Sequence, residues 1–217
     1  NSDNLIYYYH YWQHHYSYNI RIPNESKFIK TILLKLLIID PYIILVDYPH
    51  IEVLELSDID YILSNVNIDD KEIHNFIAAK LYYYAGLTKQ LKIEYYKKSL
   101  EYLNKITPQN DVEYYDILTN TLKLIDYKKY CFSFEKFFKL QEPEWRTSSL
   151  IDFLKTTIAN KDWKMFKKYE SEWDKLPLNA HRCQCAYNEY YNFMGIYCFY
   201  NKKHNKIPEL LKKAENV

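Results

Sequence analysis

An all-α fold, built as stacked antiparallel helix pairs, is what this sequence predicts, on three observations. First, its 217 residues include only two glycines, Gly86 and Gly195. Glycine supplies the positive φ of tight hairpins and lets backbone approach a phosphate, so hairpin-rich sheets and glycine-rich nucleotide loops are disfavoured. Second, apolar residues recur at helical spacing: Ile73, Phe76, Ile77, Leu81 and Tyr84 stand at i, i+3, i+4, i+8 and i+11. Third, the chain carries 25 tyrosines, 10 phenylalanines and four tryptophans. Such rings fill the layers between helices joined by short polar turns.

The elements follow in order. Ser2 or Asp3 caps an aromatic helix to about Tyr18, and the stretch Ile20–Asn24, with Pro23, turns the chain. Ser26 caps a strongly apolar second helix, and Asp40-Pro41 reads as an N-cap and N1 proline opening a third. Ile51–Leu56 suits a strand or a helix, after which Ser57 caps a short helix through Asn65. From Asp69 a long helix runs to Gly86, expected as its stop. Ile93, Tyr96, Leu100 and Leu103 then mark an antiparallel partner ending before Pro108. Tyr127, Tyr130 and Phe134 recur 36 residues later as Trp163, Phe166 and Glu170. Thr147 or Ser148 caps a helix through Ile158, and Asn160-Lys161-Asp162 turns into a helix carrying both Trp163 and Trp173. Trp163, opening its helix in the register of Tyr127, is expected to be largely buried against the preceding helix. A last pair runs from about Ala180 to Tyr200 and from Lys206 to Ala214, with Pro208 in its first turn. The whole, 1–217, reads as a single helical domain: less regular helices over 1–68, helical-hairpin repeats over 69–217.

The segment Ala79-Lys80-Leu81-Tyr82-Tyr83-Tyr84-Ala85-Gly86, continuing to Tyr95-Tyr96-Lys97-Lys98-Ser99-Leu100, resembles a tetratricopeptide repeat. Aromatic and small residues fall near that family's positions, and a period of about 36 residues is near its helix-pair unit. Later units lack the family's small residues. The resemblance implies a right-handed solenoid whose concave surface binds another polypeptide.

Four cysteines, Cys131, Cys183, Cys185 and Cys198, make no disulfide framework in a chain of this size, so a reducing, cytoplasmic setting is expected. The longest apolar run, 32–46, is broken by Lys35, Asp40 and Pro41 and is too short to span a bilayer. Net charge is only +1, which argues against general nucleic-acid binding. The distribution is uneven. Residues 1–66 hold four basic and eight acidic side chains, whereas residues 151–217 hold twelve basic and eight acidic. Between Lys35 and Lys71 there is no lysine or arginine, while Asp40, Asp47, Glu52, Glu55, Asp58, Asp60, Asp69 and Asp70 all fall there. The window predicts a local negative potential without internal neutralisation, which would steer a basic partner. Asp47, Glu52, Glu55, Asp58, Asp60, Asp69 and Asp70 are therefore the candidate partner-binding residues. The competing reading makes them helix caps and solvated faces, since Asp40, Asp58 and Asp69 stand where helices begin.

Catalytic and metal chemistry find little support. His10 and His14 share a helix face at a spacing that can ligate zinc, but Tyr11 stands where a metalloprotease needs glutamate. His181, Cys183 and Cys185 cluster, but alternate helical residues point apart and buried thiols explain them better. No glycine-flanked nucleophile and no backbone oxyanion loop is present. No catalytic residue, metal or cofactor is expected, and neither nucleic acid nor a membrane is the expected partner. The chain is also similar in general character, over about residues 70–200, to all-α immunity proteins of bacterial polymorphic toxin systems: glycine-poor, aromatic-rich helical repeats. That resemblance implies a cytoplasmic protein neutralising a toxin by direct binding. A peptide-sensing regulator or adaptor is the second expectation, and a helical enzyme or metal protein the third.

Overall fold

The computed structural model describes residues 25–46, 51–89, 93–108, 111–176 and 184–215. The expected first helix, with His10 and His14, lies outside them, as do Asp47, His181 and Cys183. Among the described residues the architecture is all-helical and contains no strand. Eleven α-helices follow in order: α1 Glu25–Ile39, α2 Ile43–Val46, α3 Leu56–Asn65, α4 Lys71–Thr88, α5 Ile93–Leu103, α6 Val112–Ile125, α7 Tyr127–Leu140, α8 Arg146–Ala159, α9 Trp163–Glu170, α10 Gln184–Tyr200 and α11 Ile207–Glu215. Ile51–Leu56, which suits either structure by sequence, is a single 3-10 turn, Ile51–Val53, leading into α3. Contacts divide the chain into two compact units, 1–130 and 131–217, with the boundary inside α7.

In the first unit α4 is the central element, packing against α5, α3, α2, α6 and the 3-10 turn at 51–53. Its ends show one apolar face, but Ile77 through Tyr83 are buried on every side. The core joins Leu33, Leu36 and Leu37 of α1, Ile59 and Ile62 of α3, and Ile77, Leu81, Tyr82 and Ala85 of α4 to Tyr95 of α5. The α4–α5 pair is antiparallel. Glu72 meets Thr107, Ala79 accepts from Ser99 Oγ at 2.9 Å, and Gly86 faces Tyr95, so one helix descends as the other rises. Gly86 does not stop α4, which continues to Thr88. Its missing side chain serves packing instead, because a Cβ there would lie 3.0 Å from Tyr95 Cβ. The buried stripe of α5 is Tyr95, Tyr96, Ser99 and Leu103, and Ile93 is exposed.

Helix starts differ from expectation by a residue or two. Glu55, not Ser57, is the N-cap of α3, and Asp58 at its third position accepts the Glu55 N–H at 2.8 Å. Asp70, not Asp69, caps α4, accepting from the N–H groups of Glu72 and Ile73 at 2.8 and 3.1 Å. A 3-10 turn at Pro143–Trp145 runs directly into α8, so Thr147 lies inside the helix, buried. Asp40 and Pro41 form a turn before the single helical turn of α2.

The second unit is held by rings. Phe134 stacks on Phe153 with centroids 3.9 Å apart, and Tyr169 meets Phe153 edge-on at 4.7 Å. Phe166 stacks on Tyr197 at 4.8 Å, and Trp173 lies parallel to Tyr190 at 4.2 Å. Offset and edge contacts of this kind add to area burial. Tyr127 and Trp163 both open their helices, and Tyr130 and Phe166, one turn on, are both buried. Two expectations fail here. Trp163 is only half-buried, and its rings of contact, Tyr197 and Tyr200, belong to the later helix α10. Trp173 is not in α9, which ends at Glu170; it sits in a separate 3-10 turn and is fully buried. Ser171 and Glu172 break the helix, freeing Trp173 to turn onto α10.

Candidate functional site

The acidic window separates into two groups in space. Glu55 pairs with Lys89 and accepts from the Tyr95 hydroxyl at 3.1 Å. Asp58 pairs with Lys30 at 2.6 Å and is mostly covered. Asp60 accepts a hydrogen bond from the Tyr82 hydroxyl. These carboxylates tie α3 to α1, α4 and α5. The expectation of a window without internal neutralisation therefore fails at Glu55 and Asp58, because Lys89 and Lys30, outside the window in sequence, fold back onto it. Burial raises the Tyr82 hydroxyl, and Asp60 raises it further. Burial and the neighbouring Glu55 push Tyr95 up to about 12. The side chain of Glu52, like Asp47, lies outside the described part.

The second group lies at the start of α4. Asp69 and Asp70 are exposed, and Asp70 spends one carboxylate oxygen on the helix cap. Glu72, in the first turn of α4, accepts from the Thr107 hydroxyl at 2.7 Å and its N–H at 3.3 Å. Asp111, the N-cap of α6, accepts from Glu113 N–H at 2.9 Å. Among the described residues no lysine or arginine forms an ion pair with Asp69, Asp70, Glu72 or Asp111. Glu72 and Asp111 both line a cleft of about 170 Å³. Its walls are Leu45 of α2, Ile73 and Phe76 of α4, Ile106 and Thr107 after α5, and Tyr114 of α6. Sequence reasoning missed Glu72 and Asp111 because each sits beside a basic or neutral neighbour. The helix-start pattern Asp-x-Glu, at 70–72 and again at 111–113, was the available signal.

Behind this cleft α4 buries one charge. Lys80 is fully covered, with its Nζ 2.5 Å from Glu113 Oε1 and 5.7 Å from the centre of the Phe76 ring. Burial also raises the carboxyl of Asp116 on α6, against the lowering effect of its hydrogen bond from Asn120. In the second unit α10 and α11 border an open apolar groove lined by Tyr191, Ile196, Phe199, Tyr200, Ile207 and Leu211. Among the described residues no group of three histidine, cysteine, aspartate or glutamate side chains is placed to hold a metal, and no helix is long and apolar enough to cross a membrane. Comparison of the chain with protein families, with curated proteins and with solved structures finds no match.

Proposed function

We propose that this chain is a non-enzymatic protein-binding module, a cytoplasmic immunity protein that neutralises a bacterial toxin by covering a basic surface of it. The observation that carries the reading is the convergence of Asp69, Asp70, Glu72 and Asp111 at one end of the α4–α6 layer without lysine partners among the described residues. Fixed carboxylates on rigid helices attract a basic protein at long range and hold its register at contact. A nuclease toxin presents such a basic surface, where it would grip the phosphate backbone. The scaffold suits the role. An antiparallel pair, α4–α5, followed by further helices with a recurring 36-residue register supports a tetratricopeptide-like stack, an architecture that offers extended surfaces to polypeptides. This step rests on fold analogy.

The deciding experiment is co-expression with the product of the gene adjacent to this one. The expected result is a stoichiometric complex, rescue of growth, and association that slows as salt rises. Asp69→Lys combined with Asp70→Asn, which keeps the helix cap, should slow association and leave the melting temperature unchanged. Glu55, Asp58 and Asp60 are unsuitable for charge reversal because they hold α3 in place. A product that is harmless and never binds overturns the immunity reading. The second reading, a peptide-sensing regulator or adaptor, is favoured by the apolar cleft beside these carboxylates, and an adjacent gene for a short secreted peptide would select it.

A further inference from the structure

The geometry points to the cleft between α4 and α6 as the anchor pocket of the interface: it takes one large apolar side chain of a peptide segment whose neighbouring residue is lysine or arginine. This inference rests on the protein-binding reading and names the chemistry that site recognises. The cleft is lined by apolar groups from three helices, Leu45, Ile73, Phe76 and the buried ring of Tyr114, with Ile106 closing it. Its volume of about 170 Å³ suits a single side chain, since an apolar cavity of about 150 Å³ accepts a benzene ring. The lining is not wholly apolar. Glu72 and Asp111 belong to it, and Asp69 and Asp70 precede Glu72 in the chain, with Lys71 between Asp70 and Glu72. The bonds to Glu72 from Thr107 all go to Oε1, and the bond to Asp111 from Glu113 goes to Oδ1. Those bonds hold Glu72 to Thr107 and Asp111 to the first turn of α6, which keeps both charges at the cleft. An apolar anchor alone would satisfy the walls and leave this charge unanswered. An anchor with an adjacent cation answers both.

A displayed random-peptide library selected on the full chain provides the test. The expected enrichment is a large aliphatic or aromatic residue with lysine or arginine within two positions. A synthetic peptide of that consensus, followed by fluorescence anisotropy, is expected to lose about tenfold or more in affinity against Ile73→Trp, which fills the pocket. Against Glu72→Gln with Asp111→Asn it is expected to lose about tenfold at low salt and most of its salt dependence. That pair retains the Thr107 acceptor and the α6 cap, so it reports charge rather than folding, and it carries the test where Ile73→Trp folds poorly. Peptides that enrich without basic residues, or that bind both variants like the parent, overturn the pocket while leaving the protein-binding reading standing. Displacement of the peptide by 2-phenylethylamine at equal concentration makes the cleft a small-amine site and overturns the peptide. Enrichment of no peptide overturns the pocket and leaves the protein-binding reading to the co-expression experiment.

Discussion

At Gly86 the spacing of two helices is set by an absent side chain. A Cβ there would stand 3.0 Å from Tyr95 Cβ and 3.3 Å from Tyr96 Cζ. Tyr95 Cβ is fixed to the backbone of α5 and cannot swing aside, so Gly86→Ala must push the helices apart. Overpacking of this kind costs about 1–3 kcal/mol, against a helix-propensity gain of about 1 kcal/mol. The expected outcome is a net loss on the order of 1 kcal/mol in denaturant unfolding. At Gly195 no atom lies within 4 Å of an added Cβ. Gly195→Ala is therefore expected to gain about 0.5–1 kcal/mol. Asp116 supplies a pH test. Burial raises its carboxyl in the folded state, so its contribution is favourable at low pH and is lost as pH climbs through the folded pKa. Asp116→Asn keeps an acceptor for Asn120 and should raise the melting temperature at neutral pH. The two proteins should converge below about pH 3, where the parent carboxyl is neutral in both states.

Among the elements, α4 and α11 are the extremes. Ile77 through Tyr83 of α4 are all buried, whereas no residue of α11 is. Helical stability in proteins comes chiefly from tertiary burial, so the two should open independently. Hydrogen exchange is expected to show α11 amides exchanging early, close to free-helix rates, and the middle of α4 exchanging only with global unfolding. Equal protection of the two would contradict this ranking. The tryptophans divide in the same way. Trp173, buried against Tyr190 in its 3-10 turn, should cost about 3–5 kcal/mol on truncation to alanine. Trp163, half-buried and stacked on Tyr200, should cost at most about half of that. Chemical denaturation of Trp173→Ala and Trp163→Ala checks the order.

Across the whole molecule, the tyrosines govern behaviour in alkali. Burial raises Tyr82, Tyr95, Tyr96, Tyr114, Tyr169 and Tyr190, with Tyr95 at about 12. Their stabilisation is intact below about pH 10, where the unfolded phenols are still protonated, and is lost as pH rises toward the folded values. The tyrosinate absorbance of these six is expected to rise together with loss of the helical signal. Helical periodicity and two glycines in 217 residues already determined the all-helical architecture of the described residues, because both follow from local geometry that each residue carries with it. The α4–α5 hairpin and the paired starts at Tyr127 and Trp163 were legible for the same reason. Asp70 and Glu55 as caps were missed by a residue or two, since several neighbouring polar side chains can serve and only the backbone path selects one. What tertiary structure decided is everything that depends on distant residues. Lys30 and Lys89 neutralise Asp58 and Glu55, Gly86 becomes a contact rather than a stop, and Trp173 rather than Trp163 is buried. The cleft assembles Leu45, Glu72, Ile106, Asp111 and Tyr114 from segments far apart in the chain, and charge and shape at a site depend on distances in space that sequence spacing does not contain.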